Sequence, residues 1–150
     1  MLAFENLEGA RVLDLYAGTG ALGFAALERG AATVDFVDKD AAMCGRIRES
    51  LHAAGMSELT HVHCAYAKKA IGFLPESYDV VLMDPPYADP QIGDTMTTIV
   101  ESHLLKDGGL LVVEHASRVS LSERVSGLVL ERSRRYGDTS VSIYRRGSPK

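Results

Sequence analysis

The chain predicts an α/β fold: a mostly parallel, doubly wound sheet that ends in an antiparallel hairpin. Two observations carry that prediction. Over residues 11–114, short apolar runs such as Val80-Val81-Leu82-Met83 alternate with stretches whose apolar residues recur at helical spacing. Runs of this kind are buried on both faces, which requires a sheet covered by helices on either side. After Glu114 the alternation stops. Two strand-like runs follow, joined through Tyr136-Gly137-Asp138-Thr139, which reads as a hairpin.

Residues 11–15 form a first strand that runs into the turn Tyr16-Ala17-Gly18-Thr19-Gly20. Residues 21–29 are helical: Leu22, Ala25, Ala26 and Leu27 give the apolar face and Gly30 ends it. A second strand covers 33–38. The helix over 41–54 carries Met43, Ile47 and Leu51 on one stripe and closes at Gly55. Residues 61–64 make a short third strand, and 68–74 a short helix ended by Pro75. The fourth strand spans 78–83. A helix over 91–105 turns Met96, Ile99, Val100 and Leu104 inward, and 109–114 is the fifth strand. The hairpin strands are 128–135 and 140–146.

At 150 residues the chain is expected to be one domain, residues 1–150, with a core that needs no staples. The 46% hydrophobic and 24% charged residues are ordinary for a soluble protein. No apolar run is long enough to span a bilayer, and the first residues lack the basic region and apolar core of a signal peptide. Cys44 and Cys64 are too few for a disulfide scaffold or a four-ligand zinc site, and the histidines make no convincing metal set. These features predict a cytoplasmic protein without a metal, and a monomer. The net charge of −4 argues against a nucleic-acid coat protein. It leaves room for local contact through the cluster Arg132, Arg134, Arg135, Arg145, Arg146 and Lys150.

Asp84-Pro85-Pro86-Tyr87 closes the fourth strand. Two prolines stiffen the turn and hold the preceding residue extended. The Asp84 carboxylate and the Pro85 carbonyl can then act as paired acceptors for an exocyclic NH2 group, with Tyr87 as a stacking surface for the base. Asp14, Asp38, Tyr66 and Asp84 all fall at or just past strand ends, where sheets of this type bind nucleotide-like ligands. Glu114-His115 follow the fifth strand and are read as loop surface in preference to rim.

Gly18-Thr19-Gly20-Ala21-Leu22-Gly23 matches G-x-G-x-x-G, by itself a weak sign of a dinucleotide site. Asp14, four residues earlier, would repel a pyrophosphate but suits the ammonium of S-adenosylmethionine. Asp38 suits ribose hydroxyls in either case. Lys39 is placed to run along an adenine edge.

Taken together, Val12-Leu13-Asp14-Leu15-Tyr16-Ala17-Gly18-Thr19-Gly20-Ala21-Leu22-Gly23, Ala26-Leu27-Glu28-Arg29-Gly30-Ala31, Asp84-Pro85-Pro86-Tyr87 and Tyr136-Gly137-Asp138-Thr139 resemble the RsmD-type bacterial 16S ribosomal RNA guanine-N(2) methyltransferases. The resemblance runs from about Gly9 to Arg145. It implies a Rossmann-like class I methyltransferase fold, S-adenosylmethionine as cofactor, and guanine N(2) of small-subunit ribosomal RNA, in the subunit or its assembly intermediate, as target. Asp84, Pro85, Pro86 and Tyr87 are then the catalytic segment. Asp14, Tyr16, Ala17, Gly18, Gly20, Asp38, Lys39, Tyr66 and Ala67 form the cofactor site. The family usually begins with a basic arm and a helix, of which residues 1–7 correspond to the tail; many class I enzymes carry an acid where Tyr66 stands. Competing readings are a DNA adenine or cytosine amino-methylase, which has no room here for a target-recognition region, and a non-catalytic binding domain. An NAD-linked oxidoreductase is more distant, because nothing downstream offers a hydride-transfer residue.

Overall fold

The structure, a computed structural model, describes residues 6–74, 77–86 and 90–147. Residues 1–5, Pro75, Tyr87 and Lys150, which enter the sequence reading, lie outside them. Eight strands make one sheet: β1 (Arg11–Leu15), β2 (Thr33–Asp38), β3 (Thr60–Cys64), β4 (Tyr78–Met83), β5 (Leu105–Ala116), β6 (Arg124–Val125), β7 (Leu128–Tyr136) and β8 (Thr139–Arg146). Their order is β3-β2-β1-β4-β5-β8-β7-β6. The pairs among β1 to β5 are parallel and those involving β6, β7 and β8 antiparallel. With α1 (Ala21–Glu28), α2 (Ala41–Ala53), α3 (Ala67–Phe73) and α4 (Ile92–Glu101), this is the class I methyltransferase fold, with the antiparallel C-terminal strands expected from the sequence.

Successive strand residues feed two cores, as period-two geometry requires. Leu13, Leu15, Val81, Met83, Leu111 and Val113 face α3 and α4. Val12, Phe36, Val80, Leu82 and Val112 face α1 and α2. Packing of α1 on its strands depends on Gly23: a Cβ there would lie 2.2 Å from the Phe36 ring. Asp40 caps α2 by accepting from the Ala42 and Met43 amides at 2.9 and 3.3 Å. The buried stripe of α2 is Cys44, Ile47 and Leu51, rotated slightly from the one read in the sequence.

The largest differences from expectation lie between the last helix and the fifth strand. The last helix ends at Glu101 rather than 105, and β5 begins at Leu105 rather than 109. His103 takes a left-handed conformation, φ 63°, which swings Leu104 and Leu105 into the sheet, where the Leu104 carbonyl accepts from the Tyr78 amide at 2.6 Å. Apolar spacing continues through that turn, so periodicity could not mark it. The two-residue strand β6 was not anticipated. No described helix is long and apolar enough to cross a membrane.

Candidate functional site

The neighbours of β1 are β2 and β4, so chain direction reverses there and the crevice lies beyond their carboxyl ends. The loop after β1 is shaped by left-handed residues: Tyr16, Gly18 and Gly20 have φ of 63°, 57° and 83°. At Tyr16 this is a sparsely populated conformation for a residue with a Cβ. The loop is tied down by the Ala17 amide donating to the Val37 carbonyl at 2.8 Å and the Gly18 amide donating to Asp38 Oδ2 at 2.8 Å. The other Asp38 oxygen accepts from the Asp40 amide at 2.9 Å. Asp38 therefore holds the glycine loop as well as edging the crevice. The position a Cβ would occupy at Gly18 is open space.

A cavity of about 240 Å³ opens here, lined among others by Tyr16, Asp38, Lys39, Tyr66, Ala67 and Pro86. It gathers the ends of β1, β2, β3 and β4 as the sequence anticipated. Tyr66 is 67% exposed, and the Lys39 ammonium lies 5.8 Å from the centre of its ring. Lys68 closes the far side by donating to Gln91 Oε1 at 2.9 Å.

Asp14 is 1% exposed and is not among the residues that line this cavity. One oxygen accepts from the Gly23 amide at 2.9 Å, and Oδ1 has no hydrogen-bond partner among the described residues. Burial pushes its carboxyl well above the usual carboxylate range; the Gly23 bond opposes that shift, and the nearby Asp84 and Asp38 charges add to it. One oxygen thus ties β1 to the first turn of α1, and the other is buried without a partner among the described residues.

Asp84 and Pro85 line a second cavity, of about 90 Å³, with Glu114, His115, Ala116 and Thr139. Met83 pairs with Val113, so Asp84 and Glu114 come side by side one step further along parallel neighbours. Burial pushes both carboxyls above the usual carboxylate range, and the Asp84 charge adds to the shift at Glu114. Asp84 keeps an exposed surface, but its carboxyl is partly enclosed. Consecutive residues of one segment therefore border both cavities: Pro86 the larger, Asp84 and Pro85 the smaller. Tyr87 lies outside the described residues.

Glu114 is the residue that sequence reading undervalued. It is the tenth residue of β5, which continues through His115 to Ala116. The available signal was parallel register, since the strand ending in Asp84 had to lie beside the strand ending in Glu114. His115 is buried, with Nε2 2.8 Å from Ser142 Oγ and Nδ1 3.0 Å from the Ala116 carbonyl, so it braces β5 against β8.

Asp14, Asp38, Asp84 and Glu114 form no salt bridge with a lysine or arginine among the described residues. Gathered carboxylates, an orphaned buried oxygen and the space at Gly18 fit a cationic ligand with an amino-acid tail. They disfavour a pyrophosphate.

Residues 1–145 match the family described as conserved hypothetical protein 95. The protein described as "Putative rRNA methyltransferase YlbH" of Bacillus subtilis is 33% identical over 142 residues, 93% of this chain and 77% of that protein. Ribosomal RNA small subunit methyltransferase D of Escherichia coli is 26% identical over 140 residues, 91% of this chain and 69% of that protein. A solved structure of a conserved hypothetical protein from Streptococcus pyogenes superposes with a TM-score of 0.88 at 29% identity, covering 93% of this chain and 87% of that one.

Proposed function

The chain belongs to the conserved hypothetical protein 95 family, the RsmD-type S-adenosylmethionine-dependent methyltransferases, and we propose that it methylates the exocyclic N(2) of a guanine in small-subunit ribosomal RNA, in the cytoplasm. The observation that carries this reading is the pair of cavities bordered by consecutive residues Asp84, Pro85 and Pro86.

S-adenosylmethionine, when bound, supplies an electrophilic methyl group on a sulfonium centre. Asp38 would hold the ribose hydroxyls while its bond to the Gly18 amide keeps the loop closed. Tyr16, Ala17, Gly18 and Gly20 would wrap the ligand, Lys39, Tyr66 and Ala67 would border the adenine, and Asp14 would answer the ammonium. At the smaller cavity, Asp84 and the Pro85 carbonyl would accept the two hydrogens of the target amine. An aromatic amine is a poor nucleophile because its lone pair is delocalised into the ring. Two acceptors on one side draw its hydrogens together and leave the lone pair directed at the methyl. The protein's work is orientation and exclusion of water. Tyr87 would stack on the base, worth about 1–3 kcal/mol.

An RNA substrate is supported by the antiparallel edge. A register shift between Leu130 and Arg132 turns Arg132, Arg134 and Tyr136 onto the face of Val141 and Ile143, with which they line a small cleft. Such bulges re-aim side chains. Arg145 and Arg146 pair with Glu131 and Asp107 at 2.8 and 3.7 Å. Val141 pairs with Glu114 on one side and Arg134 on the other. Arg134 thus lies two strand spacings, roughly 10 Å, from the rim, a reach suited to a phosphate flanking the target base.

The test is incubation with radiolabelled S-adenosylmethionine and small ribosomal subunits lacking the methyl group, with naked ribosomal RNA and duplex DNA in parallel. Label in the ribosomal RNA is expected. Label in DNA would make the chain a DNA amino-methylase, and no transfer despite cofactor binding by calorimetry would make it a binding domain.

A further inference from the structure

Glu114 has no part in the chemistry described above, yet its side chain shares the smaller cavity with Asp84. From their register and shared cavity, we propose that Glu114 selects guanine by accepting its N1–H while Asp84 accepts from the N(2) amine. The proposal rests on the guanine-N(2) reading and adds how that base is told from others.

The register fixes the placement. Leu82 and Val112 pair, and both face α1 and α2; continuing the alternation brings Asp84 and Glu114 to that same face at the ends of adjacent strands. Both carboxyl groups line the one cavity. A carboxylate oxygen accepts and does not donate. The pair therefore offers two adjacent acceptors. Guanine is the base whose amine stands beside a ring N–H, so its edge presents two adjacent donors. Adenine and cytosine place a ring nitrogen lone pair beside the amine, and that lone pair would meet the Glu114 oxygen. Discrimination of this kind is large, because a mismatch leaves desolvated polar groups facing each other. Neither carboxyl forms a salt bridge with a described cation, so both remain available to the base.

The experiment compares wild type with Glu114→Gln on two RNAs that differ only at the target: guanosine, or 2-aminopurine riboside, which keeps the 2-amino group but has a ring lone pair in place of N1–H. Wild type should prefer guanosine in kcat/KM by about 5- to 150-fold, the span of one good base contact. Glu114→Gln, whose amide can donate to that lone pair, should shrink or invert the ratio. An equal ratio in both proteins overturns the proposal whatever the absolute rates, since loss of a proton acceptor or of packing would slow both RNAs alike. If turnover of the variant is too slow to read, competition binding of the two RNAs gives the same ratio, with cofactor affinity as the check on folding. A wild type that methylates neither RNA, or another base, defeats the guanine-N(2) reading first; one that methylates guanosine with a ratio indifferent to Glu114 defeats this proposal alone.

Discussion

The parallel half of the sheet and its antiparallel edge turn opposite charges to the same face. At the carboxyl ends of β1, β2, β4 and β5 stand Asp14, Asp38, Asp84 and Glu114, none in a salt bridge with a described cation. On β7, Arg132 and Arg134 lie in register with Ile143 and Val141, on the face that carries the acids. A chain with a net charge of −4 thus keeps these carboxyl groups where the proposed function would seat a small cationic cofactor and its target base, and its arginines where a polyanion would lie. Net charge alone concealed this separation, because both sets sit on one surface a few strands apart. The comparison teaches that each charge set is organised by strand geometry: parallel register gathers the acids, and the bulge in β7 aims the arginines.

If the acidic half performs the chemistry, Asp84→Ala should lower single-turnover methyl transfer by about 10²- to 10³-fold, the scale on which one positioned polar group acts, with cofactor affinity by calorimetry nearly unchanged. An unaltered rate would remove Asp84 from the mechanism. Asp38→Ala takes away both a ribose acceptor and the anchor of the Gly18 amide. Hydrogen bonds to charged groups contribute about 1.5–3 kcal/mol, so cofactor affinity should weaken by roughly 10- to 100-fold, while RNA affinity measured without cofactor holds. Arg134→Ala probes the other half. RNA binding should weaken several-fold regardless of sequence, and the slope of log K against log salt should fall by about 1; a slope equal to wild type would place the phosphate path elsewhere.

The smallest effect concerns stability. Burial raises the Asp14 carboxyl well above its ordinary range, so the folded chain retains a proton that the unfolded chain releases. Stability must therefore fall as pH climbs from the usual carboxylate range through the raised value. Asp14→Asn removes that dependence. Its melting temperature should hold over the interval in which wild type declines, by roughly 2–4 °C for each kcal/mol at this size. Parallel curves would show that Asp14 does not titrate there.

Much of this was legible in the sequence because the signals were local. The runs 11–15, 33–38 and 78–83 are strands with those bounds, since each is a short, mostly apolar stretch with a carboxylate at or beside its end. The crevice followed from the same strands, and the structure brings Tyr16, Asp38, Lys39, Tyr66 and Pro86 into one cavity. What escaped depended on register across strands. Glu114 meets Asp84 only because Met83 pairs with Val113. Arg132 and Arg134 share a face with Val141 only because Glu131 is bulged out of the β7–β8 pairing. The division of Asp14 between a bond to Gly23 and a buried oxygen without a described partner needed the packing of α1. The end of α4 was hidden because Val100 and Leu104 stay buried on either side of the turn at His103.

The most direct measurement is the identity of the methylated nucleoside. Ribosomal RNA from reactions with wild type and Asp84→Ala would be digested and its nucleosides resolved by mass spectrometry. The account predicts N(2)-methylguanosine from wild type and its loss in the variant. A different methylated nucleoside, or N(2)-methylguanosine formed equally by Asp84→Ala, would contradict it.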